Sequence, residues 1–284
     1  MRQGKQERLS RKSLPVALAV VFTGIIVLLM MMPSSLVLIF AANIDGTSGD
    51  DTLNGTAEAD IINGFDGNDK LFGQGGDDTL DGGNGDDEIY SGNGNDEIKD
   101  VNDEAIYYGN KVYGGPGNDS IHVGKVTGTG ISYYLYGQAG SDYIEVIANE
   151  GIVYGGPDED IIYCTADYCA LNGNQGNDEI HTTPAGPDSS ASGGSGNDKL
   201  YSTGSQELKG NEGNDYLFGG SELDGGIGDD YLEEGSFYIG GPGADTFKCS
   251  FGPYDTVEDY NPKEGDQIVS PADCETIEQV EDIA

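Results

Sequence analysis

Fourteen aspartates recur at the sixth position of a nine-residue unit that repeats along this chain of 284 residues. The unit at residues 82–90, with the sequence GGNGDDEIY, is a clear copy. Position eight is Leu, Ile or Phe in every copy, and position four is Gly in all but two. The aspartates are Asp51, Asp60, Asp69, Asp78, Asp87, Asp96, Asp119, Asp142, Asp160, Asp178, Asp198, Asp215, Asp230 and Asp245. A fixed period of this kind indicates a repeat architecture in which each unit stacks on its neighbours.

The two halves of the unit predict different local structures. Glycine in the first six residues permits positive φ and lets main-chain carbonyls crowd around one point. Carboxylate and carbonyl oxygens are the ligands that a hard cation such as Ca²⁺ selects. The last three residues alternate polar, apolar and polar, which predicts a short strand with one side chain facing inward. We therefore expect cation-binding turns joined by strands that bury one residue each.

The charge of the chain supports bound cations. Five of the 13 basic residues and one of the 51 acidic residues precede residue 43. Residues 43–284 therefore carry 50 acids against eight lysines, a net charge of −42. A domain at that charge repels itself, and bound divalent cations are the natural compensation. The composition also fits a disordered acidic, glycine-rich chain, but the invariant apolar eighth position argues against that alternative.

The pattern resembles the G-G-x-G-x-D-x-U-x repeat of the RTX (haemolysin-type) calcium-binding family over roughly residues 45–270. The resemblance implies an all-β fold, a right-handed parallel β-roll with several Ca²⁺ ions in its Gly/Asp-rich turns. It also implies that the fourteen position-six aspartates ligate the ions together with neighbouring main-chain carbonyls. Two turns depart from the repeat, because Glu58 and Asp158 replace the fourth glycine.

The spacing of the units predicts that the two edges of such a roll differ. Two units make one coil, so successive turns alternate between the edges. Units follow without a gap from residue 46 to residue 99, and later turns begin about one coil apart. We therefore expect one edge with eleven turns and another with three, after which segments such as 150–154 and 206–209 keep only their strand. Eleven coils at about 4.8 Å per rung predict a rod roughly 50 Å long.

Residues 1–42 predict an export leader, an apolar helix that precedes the roll. Five basic residues are followed by a nearly unbroken apolar stretch at 14–32, and the leader ends at Ala41 and Ala42. It is typical of a signal peptide cleaved near these alanines, but nineteen apolar residues could also span a bilayer as an uncleaved anchor. In either case the repeats face outward. We expect an extracellular or cell-surface location, with membrane contact only through an uncleaved leader.

The chain is thus divided into the leader (1–42), the calcium-binding roll (43–248) and a C-terminal segment (249–284) that loses the period. The last segment resembles the one that closes RTX rolls, and a solenoid needs a cap over its last apolar rung. Asp255 and Asp259, together with Asp266, are candidates for a terminal ion in this cap.

Four cysteines fit an oxidising compartment. Cys164 and Cys169 lie in one degenerate turn, Cys249 follows the last unit, and Cys274 lies in the cap. In the roll that the resemblance implies, the first pair is about five rungs, or about 24 Å, from Cys249. That distance is too long for a disulfide. The roll therefore leaves Cys164–Cys169 and Cys249–Cys274 as possible disulfides, with free thiols as the alternative.

The sequence offers no catalytic constellation, and we expect that the protein is not an enzyme. The motifs H-E-x-x-H and G-x-S-x-G are absent. His122 and His181 both occupy position nine, which points outward on a strand. No arginine follows Arg11 to hold phosphate, which argues against a nucleic-acid partner. The leader, the roll and the cap account for the residues given.

These features predict an exported calcium-binding repeat protein with a structural or adhesive role at the cell surface or in the extracellular matrix. Its expected partners are calcium ions, with cell-surface polysaccharide or other surface proteins as further candidates. An alternative is a carbohydrate- or matrix-binding module that uses an outward ladder of Tyr113, Tyr136 and Tyr154. A less favoured alternative is an appendage of a secreted enzyme or toxin.

Overall fold

The structure is a computed structural model, and it describes eleven stretches of the chain. They are residues 18–22, 25–29, 40–100, 109–124, 132–147, 150–165, 168–183, 189–204, 206–250, 255–269 and 274–279. The chain divides into two units, residues 1–39 and residues 40–284. No helix long and apolar enough to cross a membrane occurs in these stretches.

The first unit contains two short strands. Strand β1 (Leu18–Phe22) pairs antiparallel with β2 (Ile25–Leu29). The helix predicted for the leader is therefore wrong for these ten residues, and the rest of residues 1–39 lies outside the described part. Five of the ten residues are Val or Ile, whose β-branched side chains favour strands over helices.

The second unit is an all-β parallel solenoid of about eleven turns, as expected. Its strands form two parallel sheets of 13 strands each, which we call the odd sheet and the even sheet. The odd sheet contains β3 (Asn43–Asp45), β5 (Ile61–Asn63), β7 (Thr79–Asp81), β9 (Glu97–Asp100), β11 (Ser120–Val123), β13 (Tyr143–Val146), β15 (Ile161–Cys164), β17 (Glu179–Thr182), β19 (Lys199–Ser202), β21 (Tyr216–Phe218), β23 (Tyr231–Glu233), β25 (Thr246–Lys248) and β27 (Gln267–Ile268). The even sheet contains β4 (Thr52–Asn54), β6 (Lys70–Gly75), β8 (Glu88–Asn93), β10 (Asn110–Pro116), β12 (Ser132–Ala139), β14 (Glu150–Gly156), β16 (Tyr168–Gln175), β18 (Ser190–Ser195), β20 (Glu207–Glu212), β22 (Glu222–Ile227), β24 (Phe237–Ile239), β26 (Thr256–Tyr260) and β28 (Thr276–Gln279).

The register of the sheets stacks equivalent positions of the repeat on one another. Each strand pairs with the strand two places along the chain, so that Ile121 pairs with Ile144 and Ile144 with Ile162. These position-eight residues are fully buried. Because each strand contributes about one such residue, the core is a thin double column of Ile, Leu and Val, and it buries little apolar area per residue.

Two disulfides lie in the solenoid, and they join the two pairs expected from counting rungs. Cys164 is bonded to Cys169, with Cα atoms 6.6 Å apart, and Cys249 is bonded to Cys274, with Cα atoms 5.4 Å apart. The second bond ties the end of β25 to the last segment of the chain. It therefore holds the cap strands β26 and β28 against the final regular coil.

We predict that the cap disulfide stabilises the protein more than the other one. Replacing Cys249 and Cys274 with Ser releases a loop of 25 residues, whereas the Cys164–Cys169 loop spans only 5. Loop-closure entropy then gives a loss of about 3 kcal/mol for the first pair and about 2 kcal/mol for the second. Denaturant unfolding of the two double variants with calcium present measures both losses. A larger loss from Cys164→Ser/Cys169→Ser would contradict the capping role.

Candidate metal-binding turns

The regular turns of one side of the solenoid run from an even-sheet strand to the next odd-sheet strand. We call this side the long edge. Its eleven turns begin at Gly55, Gly73, Ser91, Gly114, Gly137, Gly155, Gly173, Gly193, Gly210, Gly225 and Gly240. The opposite side, the short edge, has regular turns only at Gly46, Gly64 and Gly82 in the described residues. The unequal edges predicted from the spacing are therefore confirmed.

A ladder of hydrogen bonds joins the position-six aspartates of the long edge. The amide N–H of Asp119 donates to Oδ1 of Asp142, and the amide of Asp142 donates to Oδ1 of Asp160, both at 2.8 Å. The same bond repeats from Asp60 to Asp266 at 2.7–2.9 Å. Each carboxylate is thus fixed through Oδ1, and Asp266 of the cap continues the column.

The second carboxylate oxygen, Oδ2, has no hydrogen-bond partner in most of the regular turns of the two edges. This holds for twelve aspartates within the described residues, and each is at least 97% buried. They are Asp69, Asp78, Asp87, Asp96, Asp119, Asp142, Asp160, Asp178, Asp198, Asp215, Asp230 and Asp245. A buried carboxylate oxygen without a partner costs several kcal/mol unless a proton or a cation compensates it, with a desolvation penalty of roughly 1–3 kcal/mol even for a neutral polar group.

Main-chain carbonyls point into the same space as Oδ2. A Cβ atom added at Gly155 would collide with Oδ2 of Asp160 and with the carbonyl oxygen of Gly173, one coil further on. The same pair of oxygens faces position one at Gly114, Gly137, Gly173, Gly210 and Gly225. The glycine at position one therefore leaves open a space lined by one carboxylate and by carbonyl oxygens. This donor set suits a hard divalent cation such as Ca²⁺.

Burial raises the pKa of the carboxyl groups in these turns. The pKa of Asp160 rises to about 8, chiefly through burial and also through the charges of Asp142 and Asp178. The pKa values of Asp119, Asp142, Asp178, Asp215, Asp230 and Asp245 rise to about 7, again chiefly through burial. The stacked column thus disfavours the negative charge that the repeat places there.

The first two turns are built differently and satisfy their carboxylates internally. The amide of Thr47 donates to Oδ2 of Asp51 at 2.6 Å, and the amide of Thr56 donates to Oδ2 of Asp60 at 2.5 Å. In the other turns position two often has positive φ, for example 76° at Gln138. Neither threonine has positive φ, because β-branched residues avoid it, so each amide stays turned toward the carboxylate. Asp51 and Asp60 therefore lack the unpartnered oxygen.

The two turns that depart from glycine at position four behave differently from each other. Asp158 adopts a φ of 79° in place of the missing glycine, and the following Asp160 keeps its unpartnered Oδ2. Glu58 does not adopt positive φ, and it lies in the turn closed by Thr56. Aspartate tolerates the left-handed region better than glutamate, which explains why only the Asp158 turn keeps the regular shape.

The turn at Ser91 departs from the others at position one. The hydroxyl group of Ser91 extends into the space that a glycine leaves open and donates to the carbonyl oxygen of Gly114. Burial raises the pKa of Asp96, and the nearby hydroxyl group of Ser91 partly opposes that rise. Eleven of the twelve unpartnered carboxylates therefore have a glycine at position one, and Asp96 is the exception.

After Asp87 the short edge closes without aspartate turns. Asn110 takes the place of a position-six aspartate, because its Oδ1 accepts the amide N–H of Asp87 at 2.8 Å. Its Nδ2 group donates to the buried Asp100 at 2.6 Å. Three coils further on, the Cys164–Cys169 disulfide spans the same edge. Five coils further on, a hydrogen bond from Ser202 to Gln206 does so. Sequence reasoning missed Asn110, whose only signal was its place at the start of strand β10.

The aromatic ladder predicted at Tyr113, Tyr136 and Tyr154 is present and longer than expected. Its rings lie 4.7–5.3 Å apart with planes within 8° of parallel. It runs along the even sheet through Phe72, Tyr90, Tyr113, Tyr136 and Tyr154. A second stack on the odd sheet holds His181 between Tyr163 and Tyr201. Neighbouring rings cover the faces of the inner residues, so mainly ring edges meet the solvent.

The described residues contain no cluster of three or more His, Cys, Asp or Glu side chains that could hold a metal ion. The turns instead offer one carboxylate each and draw their other oxygens from the main chain. Both histidines lie on the odd-sheet surface beside acids, His122 next to Glu145 and His181 next to Glu179. This donor set of one carboxylate with main-chain carbonyls suits a cation that accepts carbonyl ligands.

Comparison with known protein families supports this assignment. The model of the RTX calcium-binding nonapeptide repeat (4 copies) matches residues 45–80, 64–98, 108–125, 188–222 and 202–232. No curated protein matches the chain. The matched segments include the two threonine turns and most of the turns with an unpartnered Oδ2.

We predict that the metal-free roll becomes less stable as the pH rises from 5 to 8. An unfolded aspartate has a pKa of about 3.9, whereas the folded values here are about 6 to 8. The folded state therefore binds more protons between these values, so the contribution to stability is complete below about pH 4 and is lost as the pH passes 6–8. Thermal unfolding of dialysed, metal-free protein by far-UV circular dichroism checks this. A metal-free protein that is more stable at pH 8 than at pH 5 would contradict it.

Proposed function

We propose that this chain, which carries RTX calcium-binding nonapeptide repeats, is an exported structural or adhesive protein whose fold is completed by calcium outside the cell. One observation carries the proposal, the column of buried aspartates whose Oδ2 atoms have no hydrogen-bond partner. A divalent cation in each such turn would compensate the carboxylate charge and would draw on the adjacent main-chain carbonyls. When it is bound, calcium supplies positive charge and accepts oxygen ligands in a flexible geometry.

We assign the ions to the turns that combine an unpartnered Oδ2 with a glycine at position one. On the short edge these are the turns of Asp69 and Asp87, and on the long edge those of Asp78, Asp119, Asp142, Asp160, Asp178, Asp198, Asp215, Asp230 and Asp245. Asp51 and Asp60 are left out, because threonine amides already occupy their Oδ2 atoms. In the remaining turns Oδ1 holds the preceding coil in register while Oδ2 is free for the ion.

The leader and the chemistry of the sites support a location outside the cell. The basic, apolar residues 1–42 are the basis for proposing export, either by cleavage or by anchoring. Sites with one carboxylate each bind calcium weakly, with dissociation constants of about 10⁻⁴–10⁻³ M, as in extracellular modules. Such sites fill outside the cell, where calcium is in the millimolar range, and stay empty inside it. Export would thus couple folding to arrival at the surface.

The role that we propose is non-catalytic, and a surface polysaccharide or another surface protein would be its partner. A carbohydrate-binding module based on Tyr113, Tyr136 and Tyr154 receives less support. Sugar rings stack on exposed aromatic faces, and here neighbouring rings cover both faces of Tyr113 and Tyr136 and one face of Tyr154. The ladder is better explained as packing that stabilises neighbouring strands of the even sheet.

We predict that calcium drives folding of the roll. The sequence from residue 43 onward carries a charge of −42, so without cations the stacked carboxylates repel one another. Because binding free energy becomes folding free energy, titration with Ca²⁺ should raise the β signal in circular dichroism, with a midpoint of about 10⁻⁴–10⁻³ M. Mg²⁺ is the control and should act only weakly, since it dehydrates reluctantly and requires octahedral geometry. Full β signal in chelator at pH 8 would rule out calcium-dependent folding.

We predict that Asp215→Asn lowers the number of calcium ions bound and that Asp60→Asn does not. Asparagine keeps the Oδ1 acceptor that holds the adjacent coil, but it removes the charge and the Oδ2 oxygen. Asp215 has an unpartnered Oδ2, whereas Oδ2 of Asp60 already accepts the amide of Thr56. Equilibrium dialysis with calcium gives both stoichiometries. Equal losses from the two variants would show that the unpartnered oxygen does not mark the sites.

A further inference from the structure

The aromatic ladder of the even sheet holds four phenol rings in successive coils. The centroids of neighbouring rings among Tyr90, Tyr113, Tyr136 and Tyr154 lie 4.7–5.3 Å apart, and their planes are within 8° of parallel. The register of the sheet keeps each ring beside the ring of the next coil, as where Tyr136 pairs with Tyr154. Each phenol therefore has a second phenol within reach, and this arrangement permits chemistry that a single tyrosine does not.

The last ring of the ladder is the least confined. On its far side Tyr154 pairs with Asn172, which has no ring, and Tyr154 is 38% exposed, more than the other rings. At the opposite end Phe72 covers the outer face of Tyr90 and has no hydroxyl group. The torsion that turns a tyrosine ring has broad minima, so a ring with one open face can turn toward its neighbour. Tyr136 and Tyr154 are therefore the two phenols that can most easily come into contact.

Reaction between rings of one chain is favoured over reaction between chains. Residues 43–284 carry a net charge of −42, so two copies of the protein repel each other. The stack holds Tyr136 beside Tyr154, and coupling of this pair needs no encounter in solution. The two disulfides fit an oxidising compartment, where tyrosine can also be oxidised. The fold thus presents a pair of phenols in a setting that favours oxidation and coupling within the chain.

We propose that Tyr136 and Tyr154 are an oxidative cross-linking site, at which a peroxide acting through a peroxidase joins the two rings as dityrosine. Each phenol loses one electron and one proton and becomes a phenoxyl radical. The two radicals form a carbon–carbon bond between the ring positions next to the hydroxyl groups. The hydrogens at these carbons then move as protons to the oxygens, which restores both phenols. One hydrogen peroxide takes up the two electrons and two protons and becomes two water molecules.

The cross-link would join β12 to β14 without a cation. It goes beyond the proposed function, because it needs the folded roll but none of the calcium sites. On the long edge the two coils are already joined by the hydrogen bond from the amide of Asp142 to Oδ1 of Asp160. The short edge has no regular aspartate turn at these coils in the described residues. A covalent link on the even sheet would keep the two coils in register after calcium is removed.

The test treats the full chain, with calcium present and its β signal first established by circular dichroism, with hydrogen peroxide and a peroxidase. Mass spectrometry of proteolytic peptides locates the link, whose product is lighter than the two separate peptides by two hydrogen atoms. Tyr136–Tyr154 within one chain should be the main product. Tyr154→Phe keeps the ring but removes the phenol, and it should lower the yield of intrachain dityrosine at least about fivefold, because the remaining rings lack its freedom to turn toward a stacked partner.

Tyr168→Phe is the matched control. Tyr168 lies on the same sheet and is 44% exposed, but it has no stacked ring beside it among the described residues. Its removal should leave the yield unchanged. Equal losses from the two variants would show that exposure and not stacking selects the site, and would overturn the proposal. Links mainly between chains, or no dityrosine on the folded protein, would also overturn it. None of these outcomes bears on the calcium sites, which the calcium titration tests separately.

Discussion

The roll is organised around buried carboxylates in which the protein provides a hydrogen-bond partner for Oδ1 but not for Oδ2. Oδ1 of the position-six aspartates after Asp51 accepts an amide from the preceding coil and so fixes the distance between coils. Oδ2 faces a space that exists because position one has no side chain. The thin apolar column between the sheets cannot offset this cost, because each strand buries about one residue. We therefore propose that the fold depends on what occupies the space beside Oδ2.

The two edges show two solutions to the same problem of closing a coil. The long edge retains glycine, aspartate and open space, and we propose that its stability is linked to a bound cation. The short edge abandons these turns after Asp87 and closes with contacts inside the chain, among them the Asn110–Asp100 hydrogen bond and the Cys164–Cys169 disulfide. Asn110 keeps the register bond of an aspartate but carries no charge. Loss of the repeat on this edge thus removes buried charge as well as binding sites.

The parts of the structure that follow from strict periodicity could be predicted from the sequence. The unequal edges follow from counting residues between aspartates, and the disulfide pairs follow from counting rungs in the expected roll. Departures from the period could not be predicted, because they depend on the direction in which a single amide points. Thr56 closes its turn through a main-chain N–H, and the carboxylate of Asp259 accepts the amides of Gly240 and Gly241 in place of the main-chain carbonyls of a further coil. The β1–β2 hairpin was missed because apolar length alone does not separate helix from strand.

Parallel stacking also helps to distinguish repeated residues that stabilise the fold from repeated residues that could bind a ligand. In such a register each residue contacts the equivalent residues of the neighbouring coils. Most of these contacts provide the packing or the hydrogen bonds that the groups need. Tyr113 stacks on Tyr136 at 5.0 Å, and the side chain of Asn95 accepts the amide of Asn118 at 2.8 Å. In these two ladders the stacked side chains provide each other's contacts, so no ligand is needed. Among the described residues, the aspartate ladder leaves the same atom, Oδ2, buried and unpaired from coil to coil, so we propose that the repeat binds its ligand there rather than on the aromatic face.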